Sequence, residues 1–111
     1  MALLEVPYEK PPYDQVIIPF EYASLIDNPT YAGYELDEFE FKLFDLDGND
    51  LSSTMIEGTP SDDGTYFYVT IKGGTDGDDY YLRGRAIFTK TDCDDFKKEW
   101  EMLIQVRQKG V

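Results

Sequence analysis

Alternation of apolar and polar side chains, repeated in separate stretches, is the feature that most constrains the fold of this chain. Within residues 37–45, Phe39, Phe41 and Leu43 alternate with charged residues. Residues 65–72 repeat the pattern, with an apolar side chain at every second position. Successive side chains of a β-strand point to opposite faces, so this period of two predicts strands with one buried face and one face in solvent.

A third stretch, residues 14–22, has the same period and contains a proline. Val16, Ile18 and Phe20 lie on one predicted face, and Pro19 lies between them on the other. Proline cannot donate a backbone hydrogen bond to a neighbouring strand. The segment is therefore predicted to be an edge strand.

Two longer strands are predicted further along the sequence. Residues 80–90 alternate around Gly84, which is expected to interrupt the strand. The next segment would scatter its apolar residues around a helix, whereas a strand places them on one face. Those residues are Trp100, Met102, Ile104 and Val106. We therefore predict a strand here rather than a helix over residues 94–105.

The polar faces of these two strands carry opposite charges. Arg83 and Arg85 face outward on the first strand, and Glu99 and Glu101 face outward on the second. Pairing of the strands is expected to bring the arginines next to the glutamates on the solvent-facing side. Such exposed pairs contribute only about 0.2–1 kcal/mol each, so they fix register more than stability.

Turn-forming residues separate the predicted strands. Residues 46–50 predict a tight turn, after which residues 51–57 are expected to return as a short strand and complete a hairpin. Residues 24–35 predict a connecting loop with at most a short helical turn. Further turn regions are predicted at residues 58–64, 73–77 and 92–95.

The number and spacing of these strands predict the fold class. A chain of 111 residues has the size of one ordinary domain. Short strands separated by polar turns about every 8–12 residues are typical of a small two-sheet sandwich. We predict an all-β fold, an antiparallel immunoglobulin-like (Ig-like) β-sandwich of six to seven strands, over residues 14–109. Pro11 and Pro12 favour an extended lead-in, so residues 1–13 are predicted to be an extended N-terminal arm.

Composition narrows the functions open to such a domain. The sequence has no histidine and one cysteine, Cys93, which excludes histidine-based catalysis, mixed His/Cys zinc sites and an intramolecular disulfide. The 10 basic and 23 acidic residues give a net charge of −13, which repels nucleic acid. We therefore predict a non-enzymatic protein with no cofactor and no nucleic-acid partner.

Hydropathy gives no indication of a membrane partner. No apolar stretch approaches the ~20 residues that span a bilayer. Residues 1–10 lack a basic start followed by an apolar segment of adequate length, so no signal peptide is expected. The chain is therefore expected to be made in the cytoplasm of its producer.

Acidic loop residues form the best candidate for a metal site. These weak candidates are Asp45, Asp47, Asn49 and Asp50. An EF-hand loop that starts at Asp45 needs glycine at position six and glutamate at position twelve, where this chain has Asp50 and Ile56. A plain turn is therefore predicted. A second acidic group, predicted to be solvated loop charge at the same end of the molecule, is Asp76, Asp78 and Asp79.

The run Gly-Gly-Thr-Asp-Gly-Asp-Asp-Tyr connects two of the predicted strands. Gly73, Gly74 and Gly77 can turn the chain through positive φ, where other residues are strained. Tyr80 or Tyr81 can cap such a corner when its hydroxyl bonds to nearby backbone. The run is therefore predicted to be a structural turn.

The same run carries a family resemblance. The pattern GGT-x-G-x-x-Y between a hydrophobic strand and a tyrosine-led strand resembles that of small Ig-like β-sandwich structural proteins of tailed bacteriophages. The resemblance extends at most over residues 39–106. It implies a virion component that binds other virion proteins in a symmetric, multi-copy assembly. A tail or fibre adaptor is the role it favours, with a capsid decoration protein as the alternative.

Candidate partner-binding residues lie on the arm and on one strand. On the arm they are Tyr8, Pro11, Pro12 and Tyr13. Tyr66 and Tyr68, predicted to face outward, would add contact area. Because the arm precedes the first predicted strand, deletion of residues 1–12 is expected to leave the domain folded.

Two other classes of binding protein stay open. An acidic mimic of DNA would explain the charge but needs carboxylates spaced like phosphates along one face. A carbohydrate-binding module would need aromatic side chains clustered in a groove.

Overall fold

Two packed β-sheets form the structure, a computed structural model that describes residues 2–3 and 7–108. The strands are β1 (Ala2–Leu3), β2 (Tyr8–Lys10), β3 (Val16–Glu21), β4 (Glu35–Asp45), β5 (Ile56–Asp62), β6 (Tyr66–Ile71), β7 (Asp79–Thr89) and β8 (Phe96–Val106). Between them lie two short helices, α1 (Ala23–Ile26) and α2 (Ser52–Met55), and a 3-10 turn at Pro29–Tyr31. In these residues no helix is long and apolar enough to cross a membrane. The predicted all-β sandwich is confirmed.

The large sheet is built around β7 and β8. Antiparallel pairing gives the order β4-β7-β8. β1 and β2 both pair with β8 in parallel, one after the other along its outer edge. The register places Ala2 opposite Trp100 and Lys10 opposite Val106. β8 therefore has neighbours on both sides.

This pairing corrects the prediction that residues 1–13 form an arm separate from the sandwich. The described part of the arm is extended, as its prolines indicate, but Tyr8–Lys10 is a strand of the large sheet. A three-residue strand is too short to give an alternation signal, and its partner β8 lies far away in the sequence. Residues 1 and 4–6 of the predicted arm, and residue 109 of the predicted domain, lie outside the described residues.

The small sheet contains β3, β6 and β5 in that order, all antiparallel. The Tyr22 N–H donates to the Thr65 carbonyl at 2.9 Å, just beyond the end of β3. Since N–H groups alternate in direction along a strand, the even-numbered ones of β3 point to β6 and the nitrogen of Pro19 points outward. The prediction of an edge strand within residues 14–22 is confirmed.

The inner faces of the two sheets pack together as the core. Phe67, Val69 and Ile71 of β6 are fully buried, as the alternation predicted. Phe67 lies at the centre of an aromatic cluster, and its ring neighbours are Tyr22, Phe39, Phe41 and Trp100. The strand predicted in place of a helix over residues 94–105 is confirmed as β8.

Gly84 does not interrupt β7, contrary to the prediction. The strand continues through it, with Gly84 opposite Phe41 on one side and Trp100 on the other. A Cβ atom at this position would overlap the Phe41 ring. The glycine therefore makes room for an aromatic side chain in the core.

The hairpin predicted for residues 51–57 is wrong. The Asp50 carboxylate accepts hydrogen bonds from both the N–H and the hydroxyl of Ser52, which starts the helical turn α2. The Ser52 hydroxyl oxygen in turn accepts from the Leu43 N–H at 2.9 Å, at a place where a returning strand would pair with β4. The chain then crosses to the small sheet as β5.

The turn predicted at residues 58–64 begins later than expected, because residues 58–62 still belong to β5. β5 extends to Asp62 and pairs with β6, with a shift in register between Glu57 and Ser61. Gly58 adopts a φ of 68°, which accommodates an irregularity of this kind without strain. The glycine therefore marks a bulge inside a strand rather than its end. The connecting loop predicted at residues 24–35 is confirmed, with α1 and the 3-10 turn inside it.

Candidate functional site

The glycine run and Tyr80 form the corner where the chain passes from β6 to β7 and changes sheet. Gly73, Gly74 and Gly77 adopt positive φ values of 68°, 97° and 92°. The Tyr80 hydroxyl accepts a hydrogen bond from the Thr75 N–H at 3.0 Å. This contact fixes the corner from within, since Tyr80 is buried at the start of β7.

Gly74 also allows the corner to pack closely on the end of β8. A Cβ atom at Gly74 would lie 2.6 Å from Cγ2 of Val106 and 3.1 Å from Cε of Met55. No other residue type fits this position without a shift of its neighbours.

Lys10 lies buried beside this corner, although neither alternation nor composition predicted it there. Its exposure is 0%. Its Nζ donates hydrogen bonds to the carbonyl oxygens of Gly73 at 2.6 Å and Pro11 at 2.8 Å, with Pro12 at a longer 3.4 Å. A buried ammonium is costly unless it is hydrogen-bonded. Lys10 therefore ties the arm, the proline turn and the β6–β7 corner together.

Burial makes the charged form of the Lys10 side chain less favourable. Desolvation lowers the pKa of Lys10 from its ordinary value, and the nearby Asp14 carboxylate partly offsets that effect. An ammonium has three donors, and the three carbonyl oxygens match them. Lysine is almost never fully buried, so its type argues against this position. The sequence feature that points to it is the pair of prolines, which reverse the chain directly after Lys10.

The four partner-binding candidates of the arm occupy different environments. Tyr8 is half-buried and packs against the core. Pro11 and Pro12 are half-buried, and their carbonyl oxygens accept hydrogen bonds from Lys10. Tyr13 is 96% exposed. Tyr13 is therefore the member of this group that offers its side chain to a partner.

The two acidic loops meet at one end of the molecule, as predicted. Asp45 lies opposite Tyr80 across β4 and β7, so the loops that follow and precede these residues are neighbours. They border a shallow depression of about 310 Å³, lined by Asp45, Leu46, Asp47, Asp78, Asp79 and Tyr80. The Asp79 carboxylate forms an ion pair with Arg107 at 2.6 Å.

Within this end, the proposed metal ligands cap turns. The Asp45 carboxylate accepts hydrogen bonds from the side-chain amide and N–H of Asn49 and from the N–H of Asp47, which lower its pKa. Hydrogen bonds from Ser52 lower the pKa of Asp50 in the same way. Within residues 2–3 and 7–108, no group of three or more acidic, cysteine or histidine side chains is placed to hold a metal ion.

The outer face of the large sheet carries the predicted cross-strand ion pairs. Arg85 lies opposite Glu99, and its Nε is 2.6 Å from the carboxylate, which lowers the pKa of Glu99. Arg83 lies opposite Glu101, with its Nε 3.9 Å from the Glu99 carboxylate and its guanidinium 4.8 Å above the Phe44 ring. The predicted pairing is confirmed.

The outer face of the small sheet carries a different cluster, which we call the small-sheet face: Ile17, Pro19, Tyr66 and Tyr68. Ile17 is 64% exposed, although it lies in a regular strand. The rings of Tyr66 and Tyr68 stack with their centroids 6.0 Å apart. Pro19 lies directly opposite Tyr68. The alternation predicted that both tyrosines face outward and that Pro19 lies on the face opposite Val16, Ile18 and Phe20; it did not single out Ile17 as a binding residue.

One carboxylate organises the aromatic part of this face. Asp63 accepts hydrogen bonds from the N–H groups of Tyr66 and Thr65, at 2.8 and 2.9 Å, and from the Tyr68 hydroxyl at 2.8 Å. These bonds lower the pKa of Asp63, with the Tyr66 N–H as the largest cause. The turn and both tyrosines are therefore held in one arrangement.

Comparison with known proteins adds no relative to this description. No protein-family profile matches the chain, and neither the curated proteins nor the solved structures contain a match. The resemblance to phage sandwich proteins inferred from the GGT-x-G-x-x-Y run therefore stays a prediction.

Proposed function

We propose that this chain is a non-enzymatic structural component of a bacteriophage particle, a tail or fibre adaptor that works by binding other virion proteins. The observation that carries the proposal is the β6–β7 corner, where the GGT-x-G-x-x-Y run packs as a turn capped by Tyr80. That run is the part of the chain that resembles small Ig-like phage proteins.

The strand order supports the Ig-like part of the proposal. In chain order β3 to β8 correspond to strands B to G of an immunoglobulin domain, with β3-β6-β5 as B-E-D and β4-β7-β8 as C-F-G. Tyr80, near the start of β7, has the place of the tyrosine that caps the E–F corner in such domains. Since fold does not determine function, the binding role rests on the surfaces.

Two surfaces fit a role in assembly. Tyr13 projects from the turn after β2 and is exposed over almost its whole side chain. The small-sheet face leaves Ile17 and Tyr66 in solvent. Tyrosine and aliphatic side chains in solvent are typical of the central part of a protein interface.

Fractionation of purified particles tests this proposal. Particles from the strain that carries the gene would be separated into heads and tails, and the chain quantified in each by mass spectrometry. The adaptor role predicts the chain in the tail fraction, at a copy number set by the symmetry of the tail. Its presence in heads alone would identify a capsid decoration protein. Its absence from particles would contradict the proposal.

A pair of variants tests the part played by the arm turn. Tyr13→Ser is expected to reduce incorporation into particles, because it removes the exposed tyrosine without touching the core. Leu46→Ser is the control, since Leu46 is a similarly large exposed residue, at 60%, in the acidic loop. Equal incorporation of both variants would exclude Tyr13 as a contact.

A further inference from the structure

We propose that the small-sheet face is a docking site for a protein surface that has an apolar centre and a rim of lysine and arginine. The register of the small sheet defines the shape of the site. Ile17 lies opposite Thr70, Pro19 opposite Tyr68, and Glu21 opposite Tyr66. The apolar and aromatic side chains therefore form two adjacent columns along β3 and β6, on a flat surface.

This face is costly to leave in water, which argues for a partner. Ile17 is 64% and Tyr66 is 37% exposed, and both lie in regular strands rather than loops. Apolar surface gains about 25 cal/mol per Å² when it is buried. Contiguous exposed patches of this kind mark interaction sites more often than isolated apolar residues do.

The face is also arranged in advance for binding. Asp63 holds the Thr65 and Tyr66 N–H groups and the Tyr68 hydroxyl, and the two tyrosine rings stack on each other. A partner therefore meets a Tyr68 side chain whose hydroxyl is already held by Asp63, with the Tyr66 ring stacked against it. Rigid tyrosines of this kind provide contact area at a low entropic cost.

The charges around the face determine the partner's chemistry. Glu21 lies beside Tyr66, and Asp63, whose carboxylate accepts from the Tyr68 hydroxyl, lies in the turn between β5 and β6. Lys72, two residues beyond Thr70, is paired with Glu57 on the neighbouring strand. The chain as a whole carries a charge of −13. A partner with a rim of lysine and arginine complements these acidic surroundings and would be steered towards them.

The same charges argue against a second copy of the chain as the partner. A two-fold interface joins the same surface of both copies, so it would bring together two acidic chains that each carry a net charge of −13. Like charges held together at an interface cost affinity. The face therefore fits a basic partner better than itself.

Pro19 argues that the partner covers the face rather than extending the sheet. Its nitrogen points outward from the free edge of β3, at a position where an added strand would need an N–H donor. Proline at such a position protects an edge from strand addition. The partner is therefore expected to bind through side-chain contacts on the face.

Titration of the isotope-labelled full chain, followed by ¹⁵N–¹H NMR, tests the proposal. The probe is a short helical peptide of leucine and lysine with all its leucines on one face. It is expected to shift the amides of residues 16–18, 20–21 and 61–70. Raising NaCl from about 0.05 to about 0.5 M should weaken binding because the attraction is partly ionic. A scrambled peptide of the same composition, and a leucine–glutamate peptide of the same pattern, should bind far more weakly.

Two variants and their control locate the binding. Ile17→Ser and Tyr66→Ser are each expected to lower the affinity for the leucine–lysine peptide by roughly tenfold, as for a residue at the centre of an interface. Leu46→Ser, which removes a side chain about as exposed as Ile17 but outside the face, should leave affinity unchanged.

Four results would overturn the proposal: no binding, equal binding of the scrambled peptide, shifts confined to the acidic loops at residues 45–50 and 76–79, or equal loss of affinity in Leu46→Ser. Shifts of the same amides by maltohexaose would reassign the face to a carbohydrate. None of these results depends on whether the chain is found in a particle, so the proposal fails separately from the function proposed above.

Discussion

The outer edge of β8 and the outer face of the small sheet differ in how each meets solvent. The β8 edge is closed at Trp100–Glu101 by β1 and at Ile104–Val106 by β2, and Lys10 is buried at its end. The small-sheet face is open, with Ile17 and Tyr66 in solvent. In the closed region a charged side chain is buried, and in the open region apolar side chains are exposed. The two regions therefore reverse the usual distribution of polarity.

The difference indicates what each region does. Burial of Lys10 with three carbonyl acceptors makes sense as a structural clamp, since it joins segments that are distant in the sequence. Exposure of Ile17 on a regular strand has no comparable structural reason. In the described part of the arm, which the sequence indicated as the binding element, Tyr8 and Lys10 pack into the fold. The docking site that we propose lies instead on an ordinary strand and its neighbour.

The largest effect is expected from breaking the clamp. Lys10→Met keeps a side chain of similar length but leaves the carbonyl oxygens of Gly73, Pro11 and Pro12 without their donor. We expect a loss of about 3 kcal/mol in the free energy of unfolding, measured by urea denaturation. Lys97→Met is the control, because Lys97 is an exposed lysine on β8. Equal stability of the two variants would show that the clamp contributes nothing.

A smaller effect is expected from the packing of the corner against β8. Gly74→Ala and Gly77→Ala both place a Cβ at a positive φ, but nothing lies within 4 Å of the Cβ at Gly77. Gly74→Ala should therefore be less stable than Gly77→Ala by about 1–3 kcal/mol, the cost of overpacking against Val106. Thermal unfolding of the pair measures this difference, and identical midpoints would mean that the corner does not pack tightly on β8.

In the open region, the expected effect depends on pH. The hydrogen bonds that Asp63 accepts lower its pKa below 3.8, so its carboxylate stabilises the fold above that pH and the stabilisation is lost as the pH falls through the lowered pKa. Asp63→Asn should therefore be less stable than the natural chain at pH 6, and the difference should shrink as the pH falls below about 4. A difference that stays constant with pH would exclude this role for the carboxylate.

The smallest effect is expected from the exposed ion pair on the large sheet. A double-mutant cycle of Arg85→Ala and Glu99→Ala should give a coupling of about 0.2–1 kcal/mol, because the Arg85 side chain is 52% exposed. A coupling of this size, set beside the larger loss expected for Lys10→Met, would show that a buried charge contributes more to stability than an exposed ion pair. A coupling as large as the effect of Lys10→Met would remove that contrast.

Alternation predicted the parts of the fold in which one strand face is buried. In β4, Phe41 and Leu43 reach the core while Glu40 stays in solvent, so the period of two is visible in the sequence. The same holds for Phe67 in β6 and Ile104 in β8. Each of these residues lies in the core or in solvent according to its own polarity, so the sequence alone is sufficient to predict its position.

The errors lie where a residue's environment depends on distant partners. Ser52 turns the chain into α2 because its hydroxyl bonds to Leu43 and Asp50, and the turn sequence itself favoured a hairpin. Lys10 is buried because Gly73, far along the chain, supplies an acceptor. The alternation already placed Ile17 and Pro19 on the outer face of their strand, but it did not show that Tyr66 and Tyr68 lie beside them, because that depends on the pairing of β3 with β6.

Hydrogen exchange of the intact chain tests most directly the claim that the arm closes the β8 edge and leaves the β3 edge free. The Arg107 N–H donates to the Lys10 carbonyl at 2.9 Å, and by alternation the Gln105 N–H also points to the arm. The consecutive amides of Gln105 and Val106 in β8, and of Arg107 just beyond it, should therefore all exchange slowly. In β3 the protection should alternate, with Ile18 slow and Ile17 fast. Exchange of Gln105 and Arg107 as fast as that of Ile17 would contradict the account.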